Sequence, residues 1–64
     1  MKLYVARDKN RDLYLYSEKP IKNIDEEGWY AQGGLIYIES DEFPNVKWED
    51  EEPTEVELTI KKKV

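Results

Sequence analysis

Two adjacent glycines between two apolar runs most constrain the fold of this 64-residue chain. Gly33 and Gly34 separate the run Trp29-Tyr30-Ala31-Gln32 from the run Leu35-Ile36-Tyr37-Ile38. A two-residue hairpin loop needs positive φ at its central positions, which glycine adopts without steric cost. The sequence therefore predicts a hairpin over 29–38, in which Tyr30 faces Tyr37 and Trp29 faces Ile38. This register places most apolar residues on one face and the tyrosines on the other.

Alternating apolar residues predict a second hairpin near the start of the chain. Leu3 and Val5 alternate in one segment, and Leu13 and Leu15 alternate in the next. A three-residue loop at 8–10, or a five-residue loop, would place Val5 opposite Leu13. Asn10 is the loop residue best suited to a left-handed backbone conformation.

The last third of the chain predicts a third hairpin. Segment 46–48 and segment 55–60 both alternate, and an odd number of connecting residues would place Trp48 opposite Val56. Between the central and the last hairpin, Ser40 and the acids after it predict a single capped helical turn that ends at Pro44.

Three hairpins in succession predict an all-β fold, a meander of about five to six short antiparallel strands. We expect a small, partly open barrel or a strongly twisted sheet with at most one short helical turn. A flatter sheet with one helical turn packed on it is the alternative. Residues 1–60 would form a single domain, and 61–64 a basic tail. The predicted inward-facing residues are Leu3, Val5, Leu13, Leu15, Trp29, Ile36, Ile38, Phe43, Val46, Trp48, Val56, Leu58 and Ile60.

The residue types present exclude several classes of chemistry. The chain has no cysteine and no histidine, which removes disulfides, thiolate chemistry, zinc sites built on these residues and imidazole catalysis. Its few serines and threonines have no imidazole base beside them, and its acidic runs lack the mid-loop glycine of a helix-loop-helix calcium site. We therefore predict that the protein is not an enzyme and has neither a cofactor nor a metal site.

Charge and hydropathy indicate where the protein acts. Fifteen acidic and ten basic residues give a net charge of −5, which argues against direct binding to nucleic acid. The absence of cysteine and of any apolar run long enough to span a membrane predicts a cytoplasmic protein without a membrane partner. We expect a monomer.

Tyrosines supply the candidate binding residues. The outer face of the predicted sheet carries more amphipathic surface than solubility requires, and tyrosine is enriched at protein interfaces. In one interpretation these residues are structural cross-strand pairs, partly covered by the loop 17–28. In the other they form a patch for an unidentified protein partner, which makes a binding module the leading functional class. The candidate contacts are Tyr30, Tyr37, Tyr14 and Tyr16.

Acidic runs supply a rival function. Carboxylates at 25–27, 39–42 and 49–52 could imitate DNA phosphates and occupy the basic groove of a nuclease or repressor. The protein would then be an acidic phage-type decoy or inhibitor. A third interpretation, binding of single-stranded nucleic acid by stacked tyrosines, is disfavoured by the net charge.

Two segments carry a resemblance to known proteins. The run Phe43-Pro44-Asn45-Val46-Lys47-Trp48 with its continuation to Leu58, together with 12–20, resembles short uncharacterised proteins of gut bacteria and their phages or mobile elements. The resemblance covers most of the chain. It implies a mobile-element setting, and it brings no activity and no functional residues.

Overall fold

The computed structural model describes residues 1–57, and within this range the chain forms six strands and no helix. The strands are β1 (Lys2–Arg7), β2 (Leu13–Tyr16), β3 (Ile21–Asn23), β4 (Gly28–Tyr30), β5 (Leu35–Ile38) and β6 (Thr54–Glu57). They build a four-stranded sheet in the order β5-β2-β1-β6 and a separate two-stranded ribbon, β3-β4. All pairs are antiparallel.

This architecture confirms the predicted all-β class and the number of strands. The sheet does not close into a barrel, because β5 and β6 lie at opposite edges. No helix in the described part of the chain has the length and apolar character needed to cross a bilayer.

The first hairpin forms with a five-residue loop, Asp8 to Asp12, but its register differs from the prediction by two residues. Val5 pairs with Leu15 rather than with Leu13. The Asp8 N–H donates to the Asp12 carbonyl at 2.9 Å and closes the loop. The Asn10 side-chain oxygen accepts the Asp12 N–H at 3.0 Å, so Asn10 shapes the turn through its side chain. The residue of this loop with a left-handed backbone conformation is Arg11, with φ of 80°, and not Asn10 as predicted.

The predicted central hairpin is wrong. Trp29 and Tyr30 lie in β4, which pairs with β3, whereas β5 pairs with β2. Neither Gly33 nor Gly34 has positive φ. The two glycines connect the ribbon to the sheet, and Gly33 packs so closely on Glu18 that an added Cβ would lie 2.7 Å from the Glu18 Oε2. Close approach, rather than turn geometry, is what this glycine provides.

The predicted third hairpin and helical turn are also wrong. Residues 46–48 form no strand, and β6 pairs with β1, with Val56 opposite Leu3. Segment 39–46 consists of turns, closed by hydrogen bonds from the Glu42 N–H to the Glu39 carbonyl and from the Val46 N–H to the Phe43 carbonyl. Pairing with β1 makes β6 the edge strand of a four-stranded sheet. Such a sheet is more stable than the separate two-stranded hairpin that the sequence predicted.

Both faces of the four-stranded sheet are covered, so the core consists of two clusters. On one face Val5, Leu13 and Val46 are buried, with Leu15, Ile38 and Val56 packed around them. On the other face Ala6, Tyr16 and Trp29 are buried, with Tyr4, Tyr14, Ala31 and Trp48 around them. The inward-facing prediction is therefore wrong for Ile36 and Phe43, which are 62% and 40% exposed. The predicted core residues Leu58 and Ile60 and the tail 61–64 lie outside the described residues.

Candidate functional site

The tyrosine face is largely a packed face and not an open patch. Tyr16 is only 1% exposed, and its hydroxyl donates to the Trp29 carbonyl at 3.4 Å. Burial raises the pKa of Tyr16 from 10.0 to about 12. Tyr16 is therefore removed from the candidate contacts, because the ribbon and Trp29 cover it. Tyr16 therefore fits the interpretation of the tyrosines as structural residues, and not the interpretation as a partner-binding patch.

Tyr14 and Tyr37 form the part of this face that reaches solvent. They are direct neighbours across the β2–β5 pair, with ring centroids 5.6 Å apart in an edge-to-face arrangement. Tyr14 is half-buried, and Tyr37 is 55% exposed. Such aromatic pairs stabilise a sheet and hold both rings in fixed positions. Of the four predicted contact tyrosines, Tyr14 and Tyr37 are therefore the two that lie side by side on this face.

Tyr30 and Tyr37 lie in different sheets, because β4 belongs to the ribbon and β5 to the four-stranded sheet. It pairs with Ile21 in the ribbon, and its hydroxyl donates to the Glu26 carboxylate, which raises the pKa of Tyr30. The predicted cross-strand pair Tyr30–Tyr37 is therefore wrong. Tyr30 and Ile21, on strands of only three residues each, and Ile24, in the turn between these strands, make a second exposed apolar group.

Strand β5 is the most exposed apolar element of the sheet. Leu35, Ile36 and Tyr37 are between 51% and 62% exposed, and the strand carries no charged residue and no proline. It lies at the edge of the sheet and pairs only with β2 among the described residues. Native proteins usually protect such edges with charges, prolines or bulges, because unpaired main-chain groups accept another strand.

The main-chain groups that face outward from β5 follow from the hydrogen-bond pattern. The Ser17 N–H donates to the Gly34 carbonyl at 3.1 Å, which makes these two residues a hydrogen-bonded pair in line with the β2–β5 register. Hydrogen-bonded and non-hydrogen-bonded pairs alternate along an antiparallel ladder. Ile36 and Ile38 therefore bond to β2, whereas Leu35 and Tyr37 direct both N–H and C=O away from the sheet.

The loop between β1 and β2 gives an independent check of this alternation. Asp8 and Asp12 form a hydrogen-bonded pair, so Tyr14 and Tyr16 bond to β1. Leu13 and Leu15 are then left to bond to β5, as the Ser17–Gly34 bond requires.

The opposite edge of the sheet is charged. Strand β6 places Glu55 and Glu57 on its exposed surface, where they form ion pairs with the Lys2 Nζ at 3.7 Å and with the chain's amino group at 3.4 Å. Charges along an edge oppose the addition of a further strand. The two edges of this sheet therefore differ in kind within the described residues, and of the two edge strands β5 is the one with the character of a docking strand.

Two basic side chains, which sequence patterns did not single out, hold the surroundings of the site. The Arg7 guanidinium donates to the carbonyls of Val46 at 2.7 Å and of Ser40 at 2.9 Å, and so fixes segment 39–46 beside β5. The Lys22 Nζ lies 4.3 Å from the Trp48 ring centroid and 5.6 Å from that of Trp29. The alternation of apolar residues carries no signal for the contacts of Arg7 with segment 39–46 or of Lys22 with Trp48, because these residues lie more than twenty positions apart.

Asp8 has a carboxyl group whose pKa is raised by its surroundings. Burial raises the pKa of Asp8, and the charge of Asp12 adds to this, while the hydrogen bond from the Trp29 N–H opposes it. The Asp8 Oδ1 accepts that N–H at 3.2 Å, so the carboxylate joins β1 to the ribbon. Among residues 1–57 there is no cluster of three acidic side chains that could hold a metal ion.

Comparison with protein-family models, with curated proteins and with solved structures found no match to this chain. The geometry of the site therefore carries the functional argument by itself.

Proposed function

We propose that this protein is a small, non-enzymatic protein-binding module that takes an extended segment of its partner as a new strand on β5. One observation carries the proposal. Leu35 and Tyr37 direct their N–H and C=O groups outward from a charge-free edge strand that pairs only with β2 among the described residues. In strand addition these main-chain groups supply affinity, and the side chains beside them supply specificity.

The side chains around β5 support the same function. Leu35 and Tyr37 project from one face of the strand and Ile36 from the other, and all three are more than half exposed. The Tyr14 ring packs against the Tyr37 ring, so Tyr37 is held in place before any partner arrives. Pre-ordered aromatic side chains lose little conformational entropy on binding.

An acidic decoy has less support from the arrangement of charges. Lysines lie among the acids of the described surface, with Nζ–carboxylate distances of 2.7 Å for Lys9–Glu27 and 3.2 Å for Lys19–Glu52. A surface that imitates a phosphate backbone needs uninterrupted negative charge. We therefore place the decoy second to the binding module.

Site-specific cross-linking in a lysate of the native host tests the proposal. A photoreactive amino acid in place of Ile36 reports on β5, and the same amino acid in place of Glu55 reports on the charged edge as a matched control. We expect a cross-linked protein from position 36 that is absent from position 55. Cross-linking from position 55 alone, or equally from both positions, would contradict binding at β5.

A further inference from the structure

The candidate site lies in the longest stretch of the chain without a lysine or arginine. From residue 23 to residue 46 there are six acidic residues and no lysine or arginine: Asp25, Glu26, Glu27, Glu39, Asp41 and Glu42. Three of them directly follow β5, and all three are exposed. The carboxyl end of the edge strand therefore opens onto three carboxylates, and the Arg7 guanidinium, which donates to the carbonyls of Ser40, Glu42 and Phe43, offsets only part of their charge.

The amino end of β5 is also negative. The Glu18 side chain packs on Gly33, with its Oε2 2.7 Å from the position that a Cβ would take. The neighbouring Lys19 does not neutralise it, because the Lys19 Nζ pairs with the Glu52 carboxylate at 3.2 Å. An apolar strand of four residues is thus bounded by carboxylates at both ends.

We infer that the segment accepted by β5 has apolar residues at alternate positions and lysine or arginine at both ends. This inference rests on the proposed function and adds the chemistry of the partner. Side chains of an added strand alternate between the two faces, so its apolar residues would contact Leu35 and Tyr37 on one face or Ile36 on the other. Its basic ends would lie beside Glu18 and beside Glu39 and its neighbours, where opposite charges attract.

A second copy of the chain fits this edge poorly. The outward-facing Leu35 of one copy would pair with Tyr37 of the other in an antiparallel ladder. Counting along that register, Gly33 of the first copy would face the second copy's Glu39. Because Glu18 packs on Gly33, two carboxylates would meet, and symmetry would repeat this contact at the other end. Like charges opposite each other destabilise a strand pair.

Three synthetic peptides provide the test. Each has the same central alternation of valine and threonine, with pairs of lysines, serines or glutamates at both ends. Titration into the 15N-labelled protein gives the affinity, and amide hydrogen exchange gives the position of binding. We expect the lysine peptide to slow exchange at Leu35 and Tyr37, and to bind about tenfold more tightly than the serine peptide at low salt. The glutamate peptide should bind most weakly, and added salt should reduce these differences.

Two proline variants locate the bound peptide. Leu35→Pro removes an outward N–H at the first position of β5, a position where a strand accommodates proline. Glu55→Pro is the matched control on β6. Tyr4 bonds to β2, so Leu3 bonds to Val56 on the other side of β1, and the N–H of Glu55 faces outward like that of Leu35. We expect Leu35→Pro to abolish protection of the Tyr37 amide by the peptide, and Glu55→Pro to leave this protection intact.

The outcomes separate this inference from the proposed function. If all three peptides protect Leu35 and Tyr37 with equal affinity, strand addition holds and the basic-end inference is overturned. If the free protein dimerises with protection of these two amides, the occupant is a second copy and the inference is again overturned. If no peptide protects them and the protein stays monomeric, both the inference and the proposed function fail.

Discussion

Lys22 is a partly buried basic residue whose side chain contacts other parts of this acidic protein. The Lys22 ammonium sits over the Trp48 ring and donates to the carbonyls of Trp48 and Asp50, the latter at 3.0 Å. A cation–π contact and hydrogen bonds from a charged donor stabilise a partly buried position more than a surface ion pair does. Lys22 therefore fastens segment 48–50 to the ribbon.

We predict that Lys22→Met lowers the free energy of unfolding by about 2 kcal/mol, because the aliphatic packing is kept and the charged contacts are lost. Chemical denaturation with tryptophan fluorescence measures the effect. Lys19→Met is the matched control, since it removes only an exposed ion pair and should change stability by less than about 0.5 kcal/mol. Equal effects of the two substitutions would show that Lys22 does not hold the segment.

A second residue-scale prediction concerns alkaline pH. Burial raises the pKa of Tyr16 to about 12, whereas in the unfolded chain it ionises near 10.0. The stabilisation from keeping Tyr16 neutral is complete below pH 10 and is lost as the pH rises towards 12. We expect Tyr16→Phe to reduce the fall in unfolding free energy over this interval. An unchanged pH dependence for Tyr16→Phe would contradict its burial.

At the scale of elements, the chain shows why local patterns predict strands better than their partners. Alternation located β1, β2, β5 and β6, and it placed Val5 and Leu15 on one face and Tyr4 and Tyr16 on the other, as the structure has them. The pairing of β5 with β2 rather than β4 depends on contacts twenty residues apart along the sequence. No local signal carries that choice, because a Gly-Gly pair serves equally as a turn and as a close-packed connection.

The connection 31–34 gives an element-scale prediction. Gly33→Ala should lower stability by about 1 to 3 kcal/mol, since its Cβ would press on Ser17 and Glu18. Ser17 has little freedom to move, because its N–H and its hydroxyl both donate to the Gly34 carbonyl. Gly34→Ala meets no atom within 4 Å and should be neutral or slightly stabilising.

Thermal or chemical denaturation of the two alanine variants decides between connection and hairpin. A type I′ hairpin turn at these glycines would make both substitutions costly, since both positions would need positive φ. Relief of the Gly33→Ala cost in a Ser17→Ala background would identify the Ser17 contact as its cause.

At the scale of the whole molecule, one sheet is covered on both faces and differs at its two edges. Val46 and the residues around it cover one face, and the ribbon with Trp29 covers the other. The sequence predicted a sheet with a single inner face, and therefore assigned the tyrosines to the outside. The ribbon covers this second face through Trp29, and segment 48–50 covers it through Trp48. The contact of Lys22 with Trp48 that joins them has no periodic signature in the sequence. The candidate site was predicted only as far as Tyr37 and its neighbour Tyr14, because edge position depends on topology.

Amide hydrogen exchange of the free protein tests the central claim that β5 is an open edge bonded to β2 on one side. We expect slow exchange at Ile36 and Ile38, whose N–H groups bond to β2, and fast exchange at Leu35 and Tyr37, whose N–H groups face solvent. Slow exchange at all four amides would mean that the edge is already occupied, and slow exchange at Leu35 and Tyr37 alone would mean that the register is wrong. Either result would contradict an open β5 edge with this register.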